Sequence, residues 1–142
     1  MSPEKEHELV TKYPTLFAGC DLPPTESLMC FGCECSDGWF GLLDALCASI
    51  DSHIKHNWKH EYPYQFTQIK EKFGGLRVYD TGHDDTIFGM ICMAETMSHQ
   101  ICELCGHPAR VCSSGYWLRT LCPACAEKHN YTCRIPEEEA DA

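Results

Sequence analysis

The stretch CELCGHPARVCSSGYWLRTLCPAC, residues 102 to 125, decides what kind of protein this is. Its cysteines Cys102, Cys105, Cys122 and Cys125 follow a C-x(2)-C-x(16)-C-x(2)-C spacing. Two residues between paired cysteines let both thiolates turn onto one tetrahedral ion, and a spacer of this length lets the second pair return to complete the shell. The ligand predicted from this spacing is one structural Zn2+. Each half also carries knuckle chemistry. Gly106 follows Cys105, where a positive φ relieves the tight turn, and Pro123 lies inside the second pair, where it fixes φ. Between the pairs, Arg110 to Cys112 and Tyr116 to Leu121 read as short strands around Ser113-Ser114-Gly115, the hairpin a zinc ribbon needs. His107 and His129 flank the ribbon; either could replace a cysteine ligand, but four cysteines already suffice.

Immediately upstream, Asp84 or Asp85 caps a helix with Ile87, Met90, Ile91, Ala94, Met97 and Ile101 on one side, so this helix delivers the first knuckle. Before it, the runs Gln68 to Phe73 and Leu76 to Asp80 flank Gly74-Gly75, which suits a type I′ hairpin with Ile69, Phe73, Leu76 and Val78 on one face. Further back, Asp37 caps a helix whose apolar residues Trp39, Leu42, Leu43, Leu46, Cys47, Ile50 and Ile54 fall mostly three and four apart. This is the main core element. Ser2-Pro3 opens a short helix from Pro3 to Lys12 that stops before Pro14, and Pro14 to Thr25 reads as irregular. The expected fold is α+β, two main helices on a small antiparallel hairpin sheet followed by the ribbon. Residues 1–101 form the core, 102–134 the ribbon, and 135–142, with four carboxylates, a disordered acidic tail.

Twelve cysteines would suit a secreted disulfide scaffold, but the first residues are acidic and polar, without the basic and apolar regions of a signal peptide. No later stretch is long enough to span a bilayer. The expectation is a cytoplasmic chain with its thiols reduced or metal-bound. The formal charge is −10, and four thiolates around one divalent ion add a net −2, which brings it to about −12. Such a balance opposes binding to nucleic acid and favours a basic protein surface.

Other candidate sites are weaker. Cys20, Cys30, Cys33 and Cys35 have an irregular C-x(9)-C-x(2)-C-x-C spacing, which reads as structural thiols ahead of a second metal site. His53, His56 and His60 fall at helical spacings, but no nearby carboxylate or cysteine clearly completes a shell, so a solvated face is the preferred reading. His7-Glu8 opens a metalloprotease-like HExxH that fails at Thr11, and Met93-Ala94-Glu95 lacks the ligand histidine of a zinc deaminase. No P-loop or G-x-S-x-G is present, and the histidine-rich centre of an HNH nuclease has only His107 and His129 to draw on. The run Lys70 to Tyr79 mixes Lys70, Lys72 and Arg77 with Phe73 and Tyr79. It reads as a hairpin with core aromatics and solvated cations ahead of a platform for single-stranded nucleic acid.

Three runs, MCFGCECSDGWF from Met29, QIKEKFGGLRVY from Gln68 and AETMSHQICELCG from Ala94, resemble a family of small proteins encoded by bacteriophages and prophages. There the runs look like C-x-G-F-E-x-G-D-G-W, V-K-E-K-F-G-x-L-R-F-Y and A-E-x-M-S-x-x-C-E-x-C-G. Cys33 stands where that family usually has an aromatic residue and Ser36 where it has glycine. The resemblance implies an origin in a mobile element and no particular reaction. The resulting expectation is a non-enzymatic phage protein that contacts a host protein complex with a basic surface, inhibiting a host-defence assembly such as a CRISPR effector. The alternatives are a zinc-ribbon nucleic-acid or transcription-associated protein and, third, a metal-dependent nuclease.

Overall fold

A chain that buries one stripe of each helix and one face of a sheet must bring those faces together. The computed structural model describes residues 1–134; the acidic segment expected to be disordered, 135–142, lies outside the described residues. Helix α1 (Pro3–Lys12) starts at the proline, whose missing N–H costs nothing at the first helical position, and ends before Pro14 as expected. Ser2 occupies its N-cap without a side-chain bond, and its N–H donates instead to Asp37 Oδ1 at 2.6 Å. Helix α2 (Phe40–Asn57) buries Leu43, Leu46, Cys47 and Ile50. Asp37 does not cap it. Asp37–Trp39 form a 3-10 turn leading into the helix, and the Asp37 carboxylate is taken by Ser2.

Helix α3 (Asp85–Ser98) is capped by Asp84, whose Oδ1 accepts the Ile87 N–H at 2.9 Å. Helices α2 and α3 run antiparallel. At one end His53 Nε2 meets Asp84 Oδ2 at 2.7 Å, and at the other Trp39 Nε1 donates to the Ile101 carbonyl at 2.8 Å. The chain leaves α3 at Ser98, so a short link through Ile101 separates the helix from the first knuckle.

The first sheet orders β1 (Cys33–Glu34), β2 (Phe66–Lys72) and β3 (Gly75–Asp80), with β1 parallel and β3 antiparallel to β2. The parallel strand needs a crossover, which α2 supplies. Ile69 opposite Val78, with Leu76, faces the core. Phe73 does not join them. It stands in the turn at φ 53 and is 68% exposed, and the second left-handed residue is Gly74 at φ 83. The type I′ turn is therefore Phe73-Gly74, closed by Lys72 opposite Gly75, one residue earlier than expected. Gly75 leaves room for the His99 ring instead, because a β-carbon there would lie 2.5 Å from His99 Cε1 and the imidazole would have to shift. The free N–H groups of edge strand β3 are met from α3: Leu76 donates to Ser98 Oγ at 2.9 Å and Val78 to Glu95 Oε1 at 3.1 Å.

The second sheet orders β5 (Trp117–Leu121), β4 (Arg110–Ser114) and β6 (Thr132–Cys133), all antiparallel, with α4 (Pro123–Lys128) between β5 and β6. Ser113 and Ser114 extend β4, so the hairpin turn is Gly115-Tyr116. Among the described residues the architecture is thus α+β with four helices and two three-stranded sheets, a fuller arrangement than two helices on one hairpin. No described helix is long and apolar enough to cross a membrane.

Candidate metal centre

The sulfurs of Cys102, Cys105, Cys122 and Cys125 lie within 4.8 Å of one another, close enough to hold one metal ion. Local backbone chemistry brings each pair together. In the first knuckle the Gly106 N–H donates to the Cys102 carbonyl at 2.8 Å, and Gly106 takes the expected positive φ of 79°. In the second, Pro123 is the first residue of α4, and the opening turn of that helix carries Cys125 back toward Cys122. The backbone N–H groups of Leu104 and Cys105 reach the Cys102 sulfur, and that of His107 reaches Cys105. Such donors favour thiolate over thiol.

Without an ion the four thiols cannot ionise together. Burial pushes Cys102 up, but N–H donors from Cys122, Cys105 and Leu104 outweigh it and bring the thiol down to about 7. Burial, followed by the neighbouring thiols, pushes Cys125 up to about 12. For Cys105 the His107 N–H pulls downward, yet burial and the thiols of Cys102 and Cys122 leave it raised. A divalent cation removes this conflict, since four thiolates then share a compensating charge. Cys102 and Cys122 are buried, Cys125 is half-buried and Cys105 is exposed, so one edge of the centre meets solvent.

The first knuckle is bolted to the core. A β-carbon on Gly38 would lie 2.1 Å from the Cys102 carbonyl, so only glycine lets the Asp37–Trp39 turn approach this closely. Gly38 N–H donates to the Glu103 carbonyl at 2.7 Å. The Glu103 side chain, 4% exposed, accepts from Ser36 N and Oγ at 3.1 Å and from Arg119 Nε at 3.1 Å. A carboxylate buried inside the CxxC loop is thereby neutralised by a strand residue of the ribbon. Thr120, fully buried, donates from Oγ1 to the Gly74 carbonyl at 2.6 Å and ties the hairpin tip to β5. Sequence reading missed Glu103, Arg119 and Thr120. The one available signal was an acidic residue between two ligands, where an unpaired charge would be costly.

The remaining candidates separate. Among the described residues, the four C-terminal thiols are the one group of three or more His, Cys, Asp or Glu close enough to share an ion, so Cys20, Cys30, Cys33 and Cys35 are not gathered into a ligand set. Cys33 and Cys35 belong to the core, and burial raises both thiols, Cys35 to about 12. Cys112 and Cys133, opposed on β4 and β6, form a disulfide, which corrects the expectation that every thiol is reduced or metal-bound. His53 pairs with Asp84, His56 Nδ1 lies 2.7 Å from the Ser52 carbonyl, and His60 stacks on Tyr62, so the three do not share a site. His107 Nδ1 sits 3.2 Å from Cys105 Sγ, beside the centre.

The hairpin aromatics are not core residues. Phe73 and Tyr79 are exposed, and Lys72 Nζ and Lys70 Nζ lie 5.6 and 5.7 Å from their respective ring centroids. The driving force expected to bury them is met instead by Ile69, Leu76 and Val78 on the opposite face. No family model, curated protein or solved structure matches the chain.

Proposed function

We propose that the chain is a zinc-stapled, non-enzymatic binding protein that acts by contact with another protein carrying a basic surface. The observation that supports this most is the four-sulfur centre: occupied by zinc, it is a closed tetrahedral shell with no position for a substrate. The ion then fixes a fold and leaves recognition to the surface. A charge of about −12 with zinc bound raises the encounter rate with a basic groove and opposes approach to a polyanion. In the setting implied by the phage resemblance, the bacterial cytoplasm, the partner is a host-defence complex such as a CRISPR effector, and the acidic chain competes for its nucleic-acid channel.

A second reading, a nucleic-acid binder, is favoured by one observation, the exposed Phe73 and Tyr79 with lysines beside their rings. Such a hairpin can stack on single-stranded bases. Zinc-loaded protein titrated against DNA and RNA at physiological salt separates the two. The protein-contact reading expects no shift at micromolar concentrations, together with capture of a host complex from lysate whose association slows as salt rises. Sub-micromolar nucleic-acid binding that Phe73→Ala abolishes would overturn it in favour of the hairpin.

A further inference from the structure

Across the outer side of α2 and α3 runs an apolar groove of ≈ 380 Å³ with no charged residue in its lining. In a chain that is 23% charged, this face is unusual. Its two walls differ in shape. On α2 the wall is the small stripe Gly41, Ala45 and Ser49, and a β-carbon at Gly41 would meet nothing within 4 Å. On α3 it is the ridge Met90, Met93 and Met97, of which Met93 is 67% and Met97 45% exposed.

We propose that this face is the seam of a homodimer, with the Met ridge of each copy filling the small stripe of the other. A two-fold axis lying in the seam and parallel to the helices places α3 of one copy over α2 of its partner. Because α2 and α3 are antiparallel within one chain, every facing pair in the resulting four-helix bundle is antiparallel too. The axis preserves height along the helices, so large meets small at each level. A two-fold axis across the helices would instead set methionine against methionine. Charge permits this occupant: two copies at about −12 with zinc bound repel wherever carboxylates face each other, but the uncharged groove lets them meet without burying a charge. Helix α3 is 14 residues long, so the seam measures about 20 Å by 20 Å and removes on the order of 1,000 Å² from water, near the lower bound for a specific interface. The dimer is therefore weak.

Repulsion outside the seam gives the dimer a salt response opposite in sign to that of a charge-complementary complex: added salt strengthens it. The test is sedimentation velocity of the zinc-loaded full chain over a concentration series, at low and high salt. The variants are Ala45→Glu and Met93→Glu at exposed seam positions, with Thr25→Glu as a control carrying the same charge change elsewhere. The expected result is a salt-strengthened monomer–dimer equilibrium, weakened at least tenfold by each seam variant and unchanged by the control, with circular dichroism and zinc content unchanged throughout. A monomer at all concentrations overturns the proposal, as does a dimer indifferent to both seam variants or one that salt dissociates. A monomer whose groove binds a synthetic apolar helix overturns it as well, in favour of a foreign helix as occupant.

Discussion

The core and the ribbon are held together by different physics. Among the described residues the core buries twenty residues around α2 and the first sheet, including Trp39, Phe17, Tyr64 and Phe66. The apolar cluster of the ribbon has five buried residues, and three of these are Cys102, Cys112 and Cys122, which belong to the thiol centre or the disulfide. A cluster of Leu121, Ala126 and sulfur cannot offset the conformational entropy of ordering three strands and a helix. The disulfide, together with an ion held by the four thiols, would do there what area burial does in the core. The seam between them is a third kind of contact, polar and buried, built on Glu103, Arg119 and Ser36.

The sharpest way to break this contrast is Cys122→Ser. Structural zinc binding contributes on the order of 10 kcal/mol to small metal domains. Losing a ligand should release the ion and collapse residues 102–134 while the core stays folded. Elemental analysis with amide NMR spectra would show zinc absent and ribbon resonances alone collapsed.

Acid should part the same two regions. Protons compete with the ion for thiols whose metal-free values are about 7 at Cys102 and raised at Cys105 and Cys125. At least two protons leave when metal binds near neutral pH, so affinity should fall roughly a hundredfold or more per unit as pH drops. In the core, the side-chain hydrogen bond from Lys12 holds Asp44 below the ordinary value of 3.8, and that from His53 does the same for Asp84. Their contribution is present above that value and is lost only as pH falls through the lower folded values. A pH titration followed by NMR should therefore show the ribbon released before the core; simultaneous loss would mean that the two are one cooperative unit.

Smaller effects probe the seam. Arg119→Met leaves the Glu103 carboxylate buried without its cation and should cost about 3 kcal/mol by denaturant unfolding, with zinc still bound. At the hairpin, Gly75→Ala should cost about 1 kcal/mol through contact with His99, and His99→Ala should recover it. Gly74→Ala should cost a similar amount through its left-handed backbone, and the same second change should not rescue it.

Those glycines show where sequence reading stops. Pro3–Lys12, a cap at Asp84 or Asp85 and the gathering of the four cysteines were legible because each rests on neighbours in the chain: a proline at the first turn, an aspartate before an apolar stripe, paired cysteines. Phe73, Gly74 and Gly75 permit two placements of a two-residue turn, and the one taken pairs Lys72 with Gly75 and sets Gly75 against His99, 24 positions further on. Strand β1 has two residues, too few for any periodicity, and exists only because β2 lies beside it. The Cys112–Cys133 pairing was similarly hidden, since β6 reaches β4 only after α4 has turned the chain. Glu103 was missed for the same reason, since Arg119 and Ser36 are brought to it only by the fold.

The claim beneath all of this is that the ribbon is closed around one ion by sulfur alone. X-ray absorption at the zinc edge of the purified chain measures that shell directly. The account predicts one zinc per chain with four sulfur ligands at about 2.3 Å and no nitrogen or oxygen. A shell with a nitrogen or oxygen in place of one sulfur, as His107 or water would supply, or a chain that folds its ribbon without zinc, would contradict it.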